Sequence, residues 1–403
     1  MPTLNRVGAW LMCAVLWPIC VYAQELTDSQ LIEMIVRDGA QARAIRASVD
    51  VTRREQAART VLPNPGAAYT REGAGYTEFF QVEQPLPIFG TRSALVRAGA
   101  AATATAEAER DTRLWQLRGD AQTLVAHLLA AQEKLDAARA NVREIERIIG
   151  LLRIREQEGE GSRFDRLRAE QELADGQQIA LDAAASAAGA RASITAVLAE
   201  GARLTRVIGA LYVERTVPPL DTLLARASET RADLRGLHAA SERFRLEASA
   251  ARKMRLPAPT VVGGMKRAES ADGRETGGLL GVNIAVPLFD TGRREAARWL
   301  AEQDRVDAER AFITQSIHAQ VTAASEVTAL RQHAARPIDD NAPADDLARI
   351  AEVAYTEGEL RILELLDAHR TAARARIRAI DTRLAARLAQ IALERAVGDT
   401  LWP

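Results

Sequence analysis

Leu62-Pro63-Asn64-Pro65-Gly66 ends one helical pattern and opens a pair of strands, and the chain repeats the event at Leu256-Pro257-Ala258-Pro259. Two prolines within four residues cannot continue a helical ladder, and Gly66 adds to the first, so each copy is a hard stop. Working outward, Pro87-Ile88-Phe89 returns as Pro287-Leu288-Phe289. Gly159, Asp165, Leu167 and Ala169 return as Gly358, Glu364, Leu366 and Ala368, all 199 positions on. Each copy reads helix, two short strands, long helix, tight turn, long helix. A duplication of this kind builds a wall or tube more readily than a compact enzyme.

In the first copy a helix capped by Thr27 or Asp28 is expected to run to about Val61, followed by strands over 67–71 and 77–86. From Thr91 to Glu158 there is no proline, and a helix of that length reaches about 100 Å at 1.5 Å per residue. Within it Leu124, Leu128, Ala131, Leu135, Ala138, Val142, Ile145, Ile149 and Leu152 alternate in steps of four and three, a coiled-coil seam. A turn over 159–164 leads to an alanine-rich return helix, Phe164 to Ala199, whose small side chains let neighbouring helices approach closely.

The second copy starts at Pro218-Pro219, with a helix from Asp221 to Arg255, strands over 260–266 and 278–286, and a polar loop between them from Arg267 to Gly277. A helix from Arg293 to about Gln332 is interrupted over His333–Ala344, resumes near Asp346, turns over 358–362 and returns from Leu363 to Ala396. In the last strand Leu280, Val282, Ile284 and Val286 share one face, and Gly281, Asn283 and Ala285 the other. Apolar on one side and small or polar on the other is the pattern of an outer-membrane barrel strand, and also of a half-buried strand in a soluble sheet. A secreted chain with only four strands and a very long helix favours the barrel.

Aromatic residues make up 4% of the 403, and the net charge is −1 from 53 basic and 54 acidic residues. The first is the profile of long helices sealed by small side chains; the second supplies no field to draw nucleic acid. Residues 1–23 stand apart: Arg6, an apolar core from Val7 to Val21, and Val21-Tyr22-Ala23, the pattern of a secretory signal peptide cut before Gln24. A retained membrane anchor is the alternative, for which the stretch is short. Both cysteines, Cys13 and Cys20, lie here, and bulky Ile19 before Cys20 argues against lipidation. No other segment approaches twenty apolar residues, so any crossing falls to strands of a closed barrel. Four strands cannot close one, since small barrels start near eight. Three copies supply twelve strands and twelve helical columns, which makes a homotrimer the simplest assembly. The expected domains are thus the signal peptide (1–23) and two repeats, 24–217 and 218–403.

These residues resemble the TolC-like outer-membrane efflux factors over the whole mature chain. The resemblance rests on the Leu-Pro-x-Pro helix stops and on Gln84-Pro85-Leu86-Pro87-Ile88-Phe89-Gly90-Thr91-Arg92 at the strand-to-helix exit. Val286-Pro287-Leu288-Phe289-Asp290-Thr291-Gly292-Arg293 and the two turns complete it. It implies a mainly α fold with a small β part: four transmembrane strands per protomer and antiparallel helical hairpins. As a trimer these form a 12-stranded β-barrel in the outer membrane and a 12-helix tunnel across the periplasm. The implied partners are a periplasmic adaptor (membrane fusion) protein, an inner-membrane pump of RND type and outer-membrane lipid, with no cofactor and no nucleic acid. The Phe89-Gly90-Thr91-Arg92 exit and the Gly358 turn look closest to the heavy-metal branch, though no Met, His or Cys cluster marks a metal path.

The resemblance also implies a periplasmic gate. Glu364 and Asp367 fall on the acidic positions that ring the narrow entrance, with Glu in place of the usual Asp at the first; a threefold repeat would favour cations. Tyr355 falls on the gate tyrosine and Asp165 on its carboxylate partner, implying a phenol–carboxylate hydrogen bond. Leu360 occupies the place of the gate arginine and Arg361 follows it, so either Arg361 substitutes or the latch is weaker. Adaptor docking is expected at the turns, through Gly159, Gly161 and Ser162 and through Gly358, Glu359 and Leu360. The bland alternatives are exposed carboxylates, a packed tyrosine and plain helix stops.

Catalysis finds no support: His127, His238, His318, His333 and His369 are scattered without metal-ligand spacing, and there is no phosphate loop or nucleophile elbow. An efflux conduit is the leading reading. A conduit for a type I protein secretion system is the second, and a soluble periplasmic coiled-coil adaptor, which has one hairpin and more strands, the third.

Overall fold

The computed structural model describes residues 24–73, 76–199, 204–270, 273–336 and 342–402; residues 1–23, expected to be a signal peptide, lie outside them. The first repeat contributes strand β1 (Gln24–Thr27), helices α1 (Asp28–Asp38) and α2 (Ala40–Arg59), strands β2 (Gly66–Glu72) and β3 (Thr77–Pro85), helices α3 (Thr91–Glu158) and α4 (Arg163–Thr195), and strand β4 (Leu204–Ile208). The second contributes α5 (Leu220–Thr230), α6 (Ala232–Lys253), β5 (Pro259–Ser270), β6 (Gly273–Ile284), α7 (Arg293–Ala335), α8 (Ala342–Thr356) and α9 (Ile362–Val397). The long helix α3 has the bounds expected from its sequence. Of its seam, Leu128, Ala138, Ile145, Ile149 and Leu152 are buried and the others half-buried.

Four expectations are corrected. The single helix of each repeat's start is two helices. In the first repeat the break is at Gly39, whose backbone leaves helical geometry (φ −59°, ψ 148°). A Cβ there would stand 2.4 Å from the Ile35 carbonyl oxygen and 2.9 Å from that of Val197, so only glycine lets the bend close. In the second repeat the break is at Arg231 (φ −58°, ψ 117°). Its guanidinium ties the break to the end of α9 by donating to the Ala396 carbonyl at 3.0 Å, and it pairs with Asp233 at 2.6 Å. The polar segment 267–277 is strand rather than loop over its described residues: β5 and β6 stay in register from Pro259↔Ile284 to Ser270↔Gly273. Finally, α8 begins four residues ahead of expectation, and a short parallel pair, β1 with β4, was not foreseen at all.

The four long strands form one antiparallel sheet in the order β2-β3-β5-β6. The register stacks Tyr69, Phe80 and Met265 across three strands, and Ala67, Val82, Gly263 and Leu280 across four. With Val282 and Ile284 they make an apolar face that is open to the surroundings; Leu280 is 85% exposed. The opposite face carries Gln81, Glu83, Gly264, Lys266, Gly281 and Asn283. Among the described residues no further strand of the chain joins the sheet beyond β2 on one side or β6 on the other.

Among the described residues three buried clusters hold the helices. One binds α1, the middle of α3, the end of α4 and the β1–β4 pair around Leu31, Leu128 and Ile194. A second joins α5, α7 and the end of α9 around Leu223, Val321 and Leu393. The third gathers the far ends of both hairpins around Ile148, Leu152, Ile362 and Leu365. No helix among the described residues is long and apolar enough to cross a membrane, which says nothing of strands.

Candidate functional site at the hairpin tips

The two turns end their helices in the same way. Gly159 (φ 82°) and Gly358 (φ 81°) take the left-handed conformation that L side chains resist. One residue on, the Glu160 amide donates to the Arg155 carbonyl and the Glu359 amide to the Ala354 carbonyl, at 2.9 and 2.8 Å. This closure satisfies carbonyls that a helix end leaves free. The restarts differ. Ser162 caps α4, its hydroxyl accepting from the Phe164 amide at 3.1 Å. The equivalent position in the second repeat is Arg361, which has no acceptor, and the Glu364 carboxylate accepts the Arg361 amide at 2.7 Å instead.

The third cluster brings the two tips together, with Tyr355 and Leu360 packed against its edge. Gly159, Ser162, Gly358, Glu359, Arg361, Glu364 and Asp367 are exposed; Gly161, Asp165, Tyr355 and Leu360 are half-buried. The predicted residues are therefore neighbours at one end of the molecule. The predicted latch is not formed: among the described residues Tyr355 makes no hydrogen bond to Asp165. Its partner is Arg155, which sequence reasoning missed. The Arg155 guanidinium carbon lies 5.1 Å from the centre of the Tyr355 ring, and its two terminal nitrogens donate to the carbonyls of Tyr355 and Thr356 at 3.4 and 2.9 Å. A cation at the C-terminus of α8 meets the negative end of the helix dipole and its free carbonyls. Burial pushes the Tyr355 phenol up, Arg155 pulls it back, and the charge of Asp165 adds to the rise. A long cation one turn before the Gly159 stop was the only available signal for this role.

Two further bridges brace the tips. Arg166 on α4 pairs with Glu156 on α3 at 2.6 Å across the first turn. That bond holds the Glu156 carboxyl below the usual carboxylate range. Arg370 on α9 makes a two-pronged bond to Glu172 on α4, joining the two hairpins. Behind the tips, the structure assembles a group that no spacing announces: Glu144 on α3, Glu352 on α8 and His369 on α9 each place one ligand atom within 4.8 Å of the others. Arg147 bridges the two carboxylates at 2.6 Å each. Its hydrogen bond holds the Glu144 carboxyl low. Burial pushes the His369 imidazole down against the upward pull of the glutamates, and its Nε2 is buried without a hydrogen-bond partner.

A helical wall with paired tips, carrying at its other end a sheet apolar on one side and open at both edges, is one stave of a tubular membrane channel. The chain belongs to the outer membrane efflux protein family, whose model matches residues 41–200 and 223–399. It is an outer-membrane efflux channel with a periplasmic helical extension, a transport protein and not an enzyme. The family is one of trimeric channels in tripartite pumps. No curated protein matches the chain. Among solved structures it is similar to the CmeC outer membrane channel of Campylobacter jejuni, at 12% identity and TM-score 0.73 over 98% of this chain and 94% of that one. It is also similar to the MtrE outer membrane channel of Neisseria gonorrhoeae (17%, TM-score 0.70, 94% and 93% covered) and to CusC (15%, TM-score 0.71, 99% and 96% covered). Identities this low speak for the fold alone, and their spread over several channels gives the heavy-metal branch no support.

Proposed function

We propose that three copies of this chain form one conduit that carries small molecules or metal ions, delivered by an RND-type inner-membrane pump through a periplasmic adaptor, out of the cell. The single observation that carries the trimer is the sheet: among the described residues β2 and β6 are its outermost strands, beside a continuous apolar face. An open edge in lipid leaves amides and carbonyls unsatisfied at several kcal/mol each, so the edges must be joined to other copies. Twelve strands follow from three.

The tips are the pump-side entrance. Glu364 and Asp367 are exposed on the first turns of α9, where three copies would bring six carboxylates around one axis; such a ring draws cations and repels anions. Arg155, in place of Arg361, holds the gate hairpin to its neighbour. The adaptor docks on the turns at Gly159–Phe164 and Gly358–Ile362, where Phe164 (66% exposed) and Leu363 (51%) add apolar surface suited to a partner hairpin. Deleting the protein and scoring susceptibility to drugs and metals tests the reading. Sensitivity to at least one class, restored by the intact chain and not by Phe164→Ser with its trimer preserved, is the expected result. Unchanged susceptibility with lost secretion of a polypeptide would replace the pump by a secretion system.

A further inference from the structure

From the placement of Glu144, Glu352 and His369 we infer an intra-protomer binding site for a divalent borderline cation of the zinc class, set behind the tips and independent of the acidic entrance. The donor set is one imidazole nitrogen and two carboxylate oxygens, each from a different helix. That mixture suits zinc, cobalt or nickel, whereas calcium and magnesium call for oxygen alone. The ligand atoms lie within 4.8 Å of one another. Bonds of about 2.0–2.2 Å in a tetrahedron need them about 3.4 Å apart. Glu144 and Glu352 are partly exposed (side chains 36% and 30%) and can close that gap by rotamer change, leaving a fourth position for water.

The independent sign of a ligand is the imidazole. His369 is 8% exposed, and its Nε2 is buried without a partner, a state that buried polar atoms rarely keep. Other charges close by are Arg147 and Arg376. Arg376 is engaged by Asp345 at 2.7 Å, so its charge is answered elsewhere. Arg147 is the competitor: it supplies the positive charge between the two glutamates, but its side chain is 43% exposed and can swing into solvent when a cation takes over. A groove of about 690 Å³ between α3, α4 and α9 has His369 in its wall. Because the ligands come from α3, α8 and α9, a bound ion would clamp both hairpins within two turns of Tyr355.

The test uses the full-length trimer in detergent, titrated with Zn²⁺ by calorimetry and with Co²⁺ by its visible absorption. His369→Gln and Glu352→Gln, each checked for trimer and helix content, are expected to weaken binding roughly tenfold or more. Arg147→Gln is expected to tighten it and to enlarge the rise in melting temperature on adding Zn²⁺; adding His369→Gln to that variant should abolish the rise. Binding unchanged by all three single substitutions overturns the site. So does binding lost only with Glu364→Gln and Asp367→Asn, which would put the cation at the entrance. None of these readouts depends on the cargo, so failure here leaves the efflux reading intact.

Discussion

Arg155 spans the two tips, and its role is a matter of carbonyls rather than of its charge partner. Removing it exposes the end of α8 and frees Tyr355. Arg155→Ala should cost about 1 kcal/mol locally, from the lost cap and ring contact. Amide exchange at Gly358–Leu360 is therefore expected to speed up about fivefold with the rest of the protein unchanged. Glu156 answers to pH. Its carboxyl is held low in the folded chain by Arg166, so the bridge contributes in full above the unfolded value of about 4.3 and is lost as pH falls through the lower folded value. Glu156→Gln should melt below the parent protein at neutral pH, and the two curves should converge as the pH drops into that range. At this scale the sequence was partly readable. The glycine stops and the acidic positions stood out because only certain residue types serve there. The switch of partner from Asp165 to Arg155 depends on how two helices lie side by side.

Elements are joined across the duplication by a few specific contacts. Glu247 on α6 is 1% exposed and is held by Arg59 on α2 through two bonds of 2.5 and 2.7 Å. Arg59→Ala strands that carboxylate and should cost about 3 kcal/mol, whereas replacing both partners by apolar residues should recover most of it. Thermal unfolding of the extracted protein distinguishes the two variants. The strand-to-helix exits make a second comparison. Gly90 and Gly292 both take positive φ (78° and 67°), yet a Cβ at Gly292 would sit 2.1 Å from the Ala251 carbonyl oxygen. At Gly90 the nearest atom is the Lys253 Nζ, at 3.1 Å, the end of a flexible side chain. Gly292→Ala should accordingly lower the melting temperature well beyond Gly90→Ala, although the repeats look equivalent. Periodicity made α3 legible from the sequence; α4 showed as an alanine-rich run after a glycine turn, and α7 and α9 as long runs without proline. The breaks at Gly39 and Arg231 were not, because neither carries a proline and each is enforced by what packs against it. The hairpin β5–β6 was underestimated for a related reason: beyond Lys266 its residues are polar or small on both faces, which leaves no apolar alternation to read.

For the molecule as a whole, closure of the sheet is the decisive event. Within one chain β2 and β6 are three strand spacings apart, about 14 Å, beyond the reach of a disulfide. Cysteines placed in both, such as Ala68→Cys with a scan along β6 through Asn283→Cys, should therefore form bonds only between copies and run as covalent trimers. Both native cysteines lie in residues 1–23, so the probe is clean once that segment is removed. Cross-links confined to single chains, or none at any register, would argue against a shared barrel.

The sequence by itself determined the duplication, the long helices, the turns and the two-faced strands, since each follows from local sterics or from a short-period apolar pattern. Only the tertiary structure decided which residues meet: Arg155 with Tyr355, Arg59 with Glu247, and His369 with Glu144 and Glu352. Those partners are separated by 17 to 225 positions and share no spacing rule. Their meeting is set by how the helices cross and by which buried charges need an answer, and neither quantity is carried by any one stretch of the chain.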